Sequence, residues 1–329
     1  MTSLAPLLEA FFTERLCKQR RASPNTISAY RDTFRLLLGF AERRLTRQPS
    51  VLALDDLDAT VIGAFLDELE TERDNSVRTR NARLAAIRSF FRFAAVREPG
   101  QSAVIQRVLA IPQKRFDRNI VQFLTRPEIE ALLAAPDQAE WIGRRDHALL
   151  LLAIQTGLRV SELIGVQVSD LVLETGAHVR CRGKGRKERC TPLTRQAVQP
   201  LRAWLRERGG GESDPVFPSR RGGRLSRDAV EHLVTKYAAI GARTCPSLSK
   251  KQVSPHVLRH TTAVLLLRAG VDQATIALWL GHESIETTQI YLDADLSTKE
   301  AAIARTAPPS IGAARYKPGD QLLLFLNSL

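Results

Sequence analysis

The sequence predicts a mainly α protein with a small antiparallel β-sheet, divided into a helical N-terminal part and an α+β C-terminal part. Three observations carry that prediction. Apolar residues recur at helical spacing through residues 1–110. One strand-rich patch, GVQVSDLVLETGAHVRCRGKGRKERCTPL, interrupts the helices that follow. Between the two parts lies IPQKRFDRNIVQF (111–123), with a proline, mixed charge and little periodicity, which is linker chemistry.

Leu4, Leu7, Leu8, Phe11 and Phe12 place a first helix. Ser23-Pro24 starts a second as N-cap and first-turn proline, with Ile27, Tyr30, Phe34, Leu37 and Leu38 behind it. Asp58 caps a third, carrying Val61, Ile62, Phe65 and Leu69. Ser76 caps a fourth, whose Leu84, Ile87, Phe91 and Ala94 form one stripe. Arg78, Arg88 and Arg92 fall on the flank beside that stripe. A short fifth helix spans 102–109. Such helices make a bundle. Its arginine flank reads either as a phosphate-contact face or as a solvated helix face.

The C-terminal part spans 124–310, with a tail at 311–329. Thr125 is an N-cap with Pro127 in the first turn, and an apolar helix covers 146–155. The strand-rich patch is broken at Thr175-Gly176 and at Gly183-Lys184-Gly185, which predicts three antiparallel strands. Helices return at 194–208, 226–240, 255–269, 272–280 and 284–294. The tail holds YKPGD and then QLLLFLNSL, an apolar stretch suited to docking in cis or on a neighbouring subunit.

Composition narrows the partner. Of 329 residues 44% are hydrophobic, so one or two real cores are expected. The 48 basic against 35 acidic residues leave +13, with a pI near 10.2. Residues 1–110 hold 17 basic and 13 acidic side chains, so both parts share the surplus. Nucleic acid or an anionic membrane surface is the partner such a balance favours. The longest strongly apolar run, 148–154, is far short of the roughly 20 residues a membrane span needs. The N-terminus lacks a basic leader and carries Glu9 and Glu14, unlike a signal peptide. Cys17, Cys181, Cys190 and Cys245 show no metal-ligand spacing. Cys181 and Cys190 flank the predicted hairpin and can face each other there. Reduced thiols in a cytoplasmic protein are the reading, rather than a disulfide. No metal and no cofactor is expected.

The chemistry-bearing residues lie in the C-terminal part. Arg159 follows Gly157, which breaks the apolar helix, and Glu162 three residues on can hold it. Alone, that pair also fits an ordinary surface ion pair. Lys184 stands between two glycines on a hairpin tip that can approach a ligand, with Lys187 as competitor and a solvated turn as the plain alternative. His256 and Arg259 share one face in the first turn of a helix opened by Ser254-Pro255, where partial positive charge suits an anion. His260 reads as a packing or solvent-facing neighbour. His282 follows Gly281, the predicted cap of the preceding helix, and also fits a simple loop histidine. Tyr291 also fits a core aromatic. As a nucleophile it needs cations nearby, because a free phenol has a pKa of about 10. Together the set is sufficient to break a phosphodiester. Two arginines grip the non-bridging oxygens, a lysine and histidines move protons, and a tyrosine attacks phosphorus.

TGLRVSEL, GKGRKER, HVLRHTTA and LGHESIETTQIY, in that order, resemble the catalytic boxes of the tyrosine recombinase (phage integrase) family, Xer and transposon types included. The match runs from about Leu124 to Asp295, and the helical N-terminal part is similar to the family's SAM-like core-binding domain. The resemblance implies a site-specific DNA recombinase that forms a 3′-phosphotyrosyl link through Tyr291. It further implies that Arg159 and Arg259 clamp the phosphate, that His256 and His282 assist, that Lys184 protonates the leaving 5′ oxygen, and that Glu162 supports Arg159. It implies a tetramer on paired double-stranded DNA sites, alone or with sister recombinases, each subunit closing a C-shaped clamp on the duplex. Two other readings share these residues: a DNA-binding architectural or regulatory protein with no nucleophile, and a monomeric type IB topoisomerase. A metal-dependent DDE transposase is disfavoured, since no carboxylate trio falls on strand ends.

Overall fold

The computed structural model describes residues 2–116, 121–183 and 188–281. The chain forms two units, Met1–Arg118 and Asn119–Leu329, each with its own core.

The first unit is helical. Its elements are α1 (Leu4–Ala10), continued by a π-helical stretch (Phe11–Gln19), then α2 (Pro24–Leu45), α3 (Ala59–Thr71), α4 (Val77–Arg97) and α5 (Ser102–Ala110). The caps are those the sequence predicts. The Ser23, Asp58 and Ser76 side chains accept from the backbone N–H groups of Thr26 (3.2 Å), Val61 (2.8 Å) and Thr79 (3.3 Å). The core is aromatic at its centre. Phe90 meets Phe11 at 5.6 Å and Phe34 at 5.4 Å between ring centroids, both edge-on. Leu84, Ile87, Phe91 and Ala94 are fully buried beside them.

The second unit begins with α6 (Arg126–Ala134) and α7 (Trp141–Thr156), followed by the single-turn α8 (Val160–Leu163). A three-stranded antiparallel sheet comes next in the order β1 (Leu171–Val172), β2 (His178–Arg182), β3 (Glu188–Pro192). Then come α9 (Arg195–Arg208), α10 (Arg227–Gly241), α11 (Pro255–Arg268) and α12 (Gln273–Leu280). Pro127 and the Thr125 backbone N–H, which donates to Glu128 (2.7 Å), set the start of α6. No described helix is long and apolar enough to cross a membrane.

Two expectations need correction. Helix α7 starts at Trp141, five residues before the predicted 146. Its first turns carry Arg144 and Arg145, which break the apolar period but are satisfied. Arg144 binds Glu207 (2.7 Å) and the Gln138 and Ala139 carbonyls, and Arg145 binds Asp146 (2.6 Å) and the Pro218 carbonyl (2.9 Å). The second correction concerns β3. Cys181 pairs with Arg189 across the ladder and Cys190 pairs with Arg180, so the two thiols lie on opposite faces of the hairpin rather than facing each other. Both are free, Cys181 buried and Cys190 exposed. Burial also pushes the Cys181 thiol up to about 11, so it stays protonated. The predicted helix over 284–294 and the apolar tail lie outside the described residues.

Candidate active site

The site is built where α7 ends and α12 ends, side by side. Gly157 closes α7 with φ +63°, a left-handed conformation that suits glycine. The space above it is filled: an added Cβ would sit 2.6 Å from a Leu280 methyl and 3.2 Å from Thr262. The break turns the chain so that Arg159 becomes the N-cap residue of α8. Its backbone N–H donates to Glu162 Oε2 and its Nη1 to Glu162 Oε1, both at 2.9 Å. The predicted Arg159–Glu162 pair is therefore present, and it is not a surface pair: the Glu162 side chain is 4% exposed and that of Arg159 34%.

Helix α11 supplies the second arginine. The Ser254 hydroxyl accepts from the Val257 N–H, Pro255 occupies the first turn, and His256 and Arg259 follow. Arg259 is 3% exposed. Its Nη1 donates to the Gly157 carbonyl and its Nη2 to the Leu280 carbonyl, both at 2.7 Å. His256 is exposed and stacks edge-on with the partly buried His260, ring centroids 4.2 Å apart.

Helix α12 completes the arrangement. Asp272 caps its start, accepting from the Thr275 N–H at 2.9 Å, and Gly281 closes its end with φ +65°. The last carbonyls of a helix lack intrahelical partners and carry partial negative charge. Here three consecutive ones are taken by arginines from three separate elements. Trp279 O accepts from Arg189 Nε (3.1 Å), Leu280 O from Arg259 Nη2 (2.7 Å) and Gly281 O from Arg159 Nη2 (2.9 Å). The two predicted clamp arginines are thus fixed on adjacent carbonyls, and His282 is the next residue of the chain. A guanidinium has five N–H donors in a rigid fork, and the Arg159 side chain is 34% exposed, so its anchoring to Glu162 and Gly281 is compatible with presenting an edge to an oxyanion.

Glu162 holds the charges in register. Burial alone would raise its pKa, but hydrogen bonds from Arg189 and the Arg159 N–H, with both positive charges, hold it below the usual carboxylate range. Arg189 responds in kind: burial works against its charge, and Glu162 more than offsets it, so it stays protonated.

Arg189 was not among the predicted site residues. The sequence signal was an arginine in a short strand, but with Cys190 read as an apolar strand position Arg189 would point outward. The parity is the reverse, with Arg189 and Thr191 inward and Glu188, Cys190 and Pro192 exposed. Arg78 and Arg92 are exposed on α4 of the first unit, and Arg88 donates to the Ile111 carbonyl. Lys184, His282 and Tyr291 lie outside the described residues. No group of three or more His, Cys, Asp or Glu side chains with metal-binding geometry occurs among the described residues.

Comparison with known proteins gives the chain's relatives. Residues 122–297 match the "Phage integrase family", and residues 10–98 match "Phage integrase, N-terminal SAM-like domain". A relative from Sinorhizobium fredii, described only as an integrase/recombinase (y4rC), is 60% identical over 99% of this chain and 98% of its own. Tyrosine recombinase XerC of Pelobacter propionicus is 34% identical over 89% of this chain and 93% of its own. Two solved structures share the fold. The XerH site-specific recombinase bound to palindromic difH substrate has a TM-score of 0.69 at 22% identity, covering 90% of this chain and 84% of that one. The Tn1549 transposon integrase in complex with transposon right end DNA also scores 0.69, at 18% identity, covering 93% and 100%.

Proposed function

The chain belongs to the phage integrase family of tyrosine recombinases, and from that premise we propose which of its residues cut and rejoin DNA. The protein is a site-specific recombinase that acts through a 3′-phosphotyrosyl intermediate. One observation carries the assignment of the clamp: Arg159 and Arg259 are held on adjacent carbonyls at the end of α12. Fixed there, they neutralise the two non-bridging oxygens of the scissile phosphate. Donors already in place where charge develops commonly lower such a barrier more than any other single effect.

Tyr291 attacks phosphorus through its phenolic oxygen, and the 5′ oxygen leaves with a proton from Lys184. His256 and His282 bond the phosphoryl oxygens and assist proton movement. Religation runs the same steps backwards with a 5′ hydroxyl as nucleophile. The ester conserves the energy of the broken bond, so the cycle needs no ATP. Residues 1–110 form the core-binding domain, 111–123 the linker, 124–310 the catalytic domain and 311–329 a tail that docks in cis or on a neighbour. Arg78, Arg88 and Arg92 of the first domain add phosphate contacts. The functional assembly is a tetramer on two paired sites, formed by this chain alone or with sister recombinases. It works in the cytoplasm, where its DNA lies.

The test is direct. DNA attached covalently to the protein in cells is recovered and its junction sequenced, and a nicked duplex of that site then traps the intermediate. Tyr291→Phe is expected to yield no adduct. Adducts persisting in that variant overturn the nucleophile assignment. Recovery of no covalently attached DNA from cells that make the wild-type protein favours a DNA-binding role without cleavage.

A further inference from the structure

We propose that Arg189 is a positioning residue for strand cleavage, acting by neutralising Glu162 so that Arg159 keeps its charge for the phosphate. The proposal rests on the clamp reading above and adds a residue to it. Glu162 carries one negative charge between two arginines. Arg189 takes it in the two-pronged geometry, Nη2 to Oε2 at 2.7 Å and Nη1 to Oε1 at 3.2 Å. Arg159 takes one side-chain bond, to Oε1 at 2.9 Å. The exposures divide the same way. The Arg189 side chain is 13% exposed and that of Arg159 34%, so Arg189 is the inner counter-ion and Arg159 the outward-facing cation.

Remove Arg189 and the buried carboxylate must be neutralised by Arg159 alone. The cation meant for the phosphate is then turned inward onto Glu162. A second effect adds to this. Arg189 Nε also holds the Trp279 carbonyl (3.1 Å), and an added Cβ on Gly281 would lie 2.7 Å from Arg189 Nη1. One guanidinium therefore packs against the end of α12 and ties it to β3 and α8. Nothing in this makes Arg189 touch the reacting atoms.

The experiment uses the full-length protein and the nicked duplex of its recovered site, in single turnover at saturating DNA. Two substrates are compared, one with the normal scissile phosphate and one with a neutral methylphosphonate there. Arg189→Gln is expected to slow cleavage of the normal substrate about 30-fold or more, with DNA affinity within about threefold. On the methylphosphonate the deficit should shrink to about fivefold or less, because a neutral centre needs less cationic charge. Equal deficits on both substrates, or cleavage within about threefold of wild type on the normal one, would overturn the proposal. A second variant guards against misfolding. Arg189→Gln combined with Glu162→Gln leaves no unpaired buried charge. It is expected to cleave about tenfold faster than Arg189→Gln alone. Where Arg189→Gln alone does not fold, the double variant decides: cleavage within about tenfold of wild type upholds the charge account, and a loss of about 100-fold overturns it. Wild-type protein that forms no adduct refutes the recombinase residue assignment itself, so the two failures are distinguishable.

Discussion

The two units use arginine in opposite ways. On α4 of the first unit, Arg78 and Arg92 stand exposed on a helix flank. Around α12 of the second, Arg159, Arg189 and Arg259 are each pinned by two or more hydrogen bonds, at least one of them to a carbonyl at the end of α12, far away in sequence. The difference is one of entropy and direction. An exposed arginine contributes charge over a Debye length, weakened by salt and by its own rotamer freedom. A pinned one has surrendered that freedom on folding, so it meets a phosphate at little further cost. The first arrangement suits attraction to DNA anywhere, and the second suits one phosphate in one place.

The sharpest way to break the comparison is Arg259→Gln. It removes a pinned donor and should lower single-turnover cleavage by at least about 100-fold, or about 2.7 kcal/mol of transition-state stabilisation. Binding to non-specific DNA should barely change. A comparable loss of both would mean that the buried arginine only supplies general charge.

A pH experiment probes the pin itself. The Glu162 carboxyl titrates below its ordinary 4.5 in the folded protein. Its contribution is therefore complete above about pH 4.5 and is lost as pH falls through the lower folded value. In thermal melts, Glu162→Gln should be destabilised by about 3 kcal/mol at pH 7, since it leaves two arginines without their carboxylate. The gap to wild type should narrow as the wild-type carboxyl protonates in acid. A gap that stays constant with pH would show that Glu162 contributes through shape and not charge.

The smallest effect belongs to the exposed flank. Arg78→Ala with Arg92→Ala should weaken DNA binding only a few-fold, uniformly across sequences, and lower the slope of log affinity against log salt by about 2. Cleavage at saturating DNA should be unaltered. A sequence-dependent loss would mean that these side chains read bases.

Local signals were legible in the chain wherever a few neighbouring residues set the conformation. Ser23-Pro24, Asp58, Ser76 and Ser254-Pro255 each start a helix as their chemistry predicts, because cap and acceptor lie within three residues. Gly157 and Gly281 end helices because a left-handed residue is needed there. Even the Arg159–Glu162 pair is a three-residue contact. Arg189 was hidden because strand parity has no local determinant in KERCTP: either alternation is chemically sensible until Glu162, 27 residues back, demands a second cation. The early start of α7 was hidden for a similar reason, since Glu207 and the Pro218 carbonyl satisfy Arg144 and Arg145 from 63 and 73 residues away.

The amino-acid order alone settled that most of the described helices and strands form, and that the chain carries a basic surplus. These follow from periodicity, capping and charge, all short-range properties of a chain. Folding alone decided that three guanidiniums would share the end of one eight-residue helix. Carbonyls left unpaired at a helix terminus are acceptors without an address, and only the packing of α7, α8, α11 and β3 around α12 determines which donors reach them.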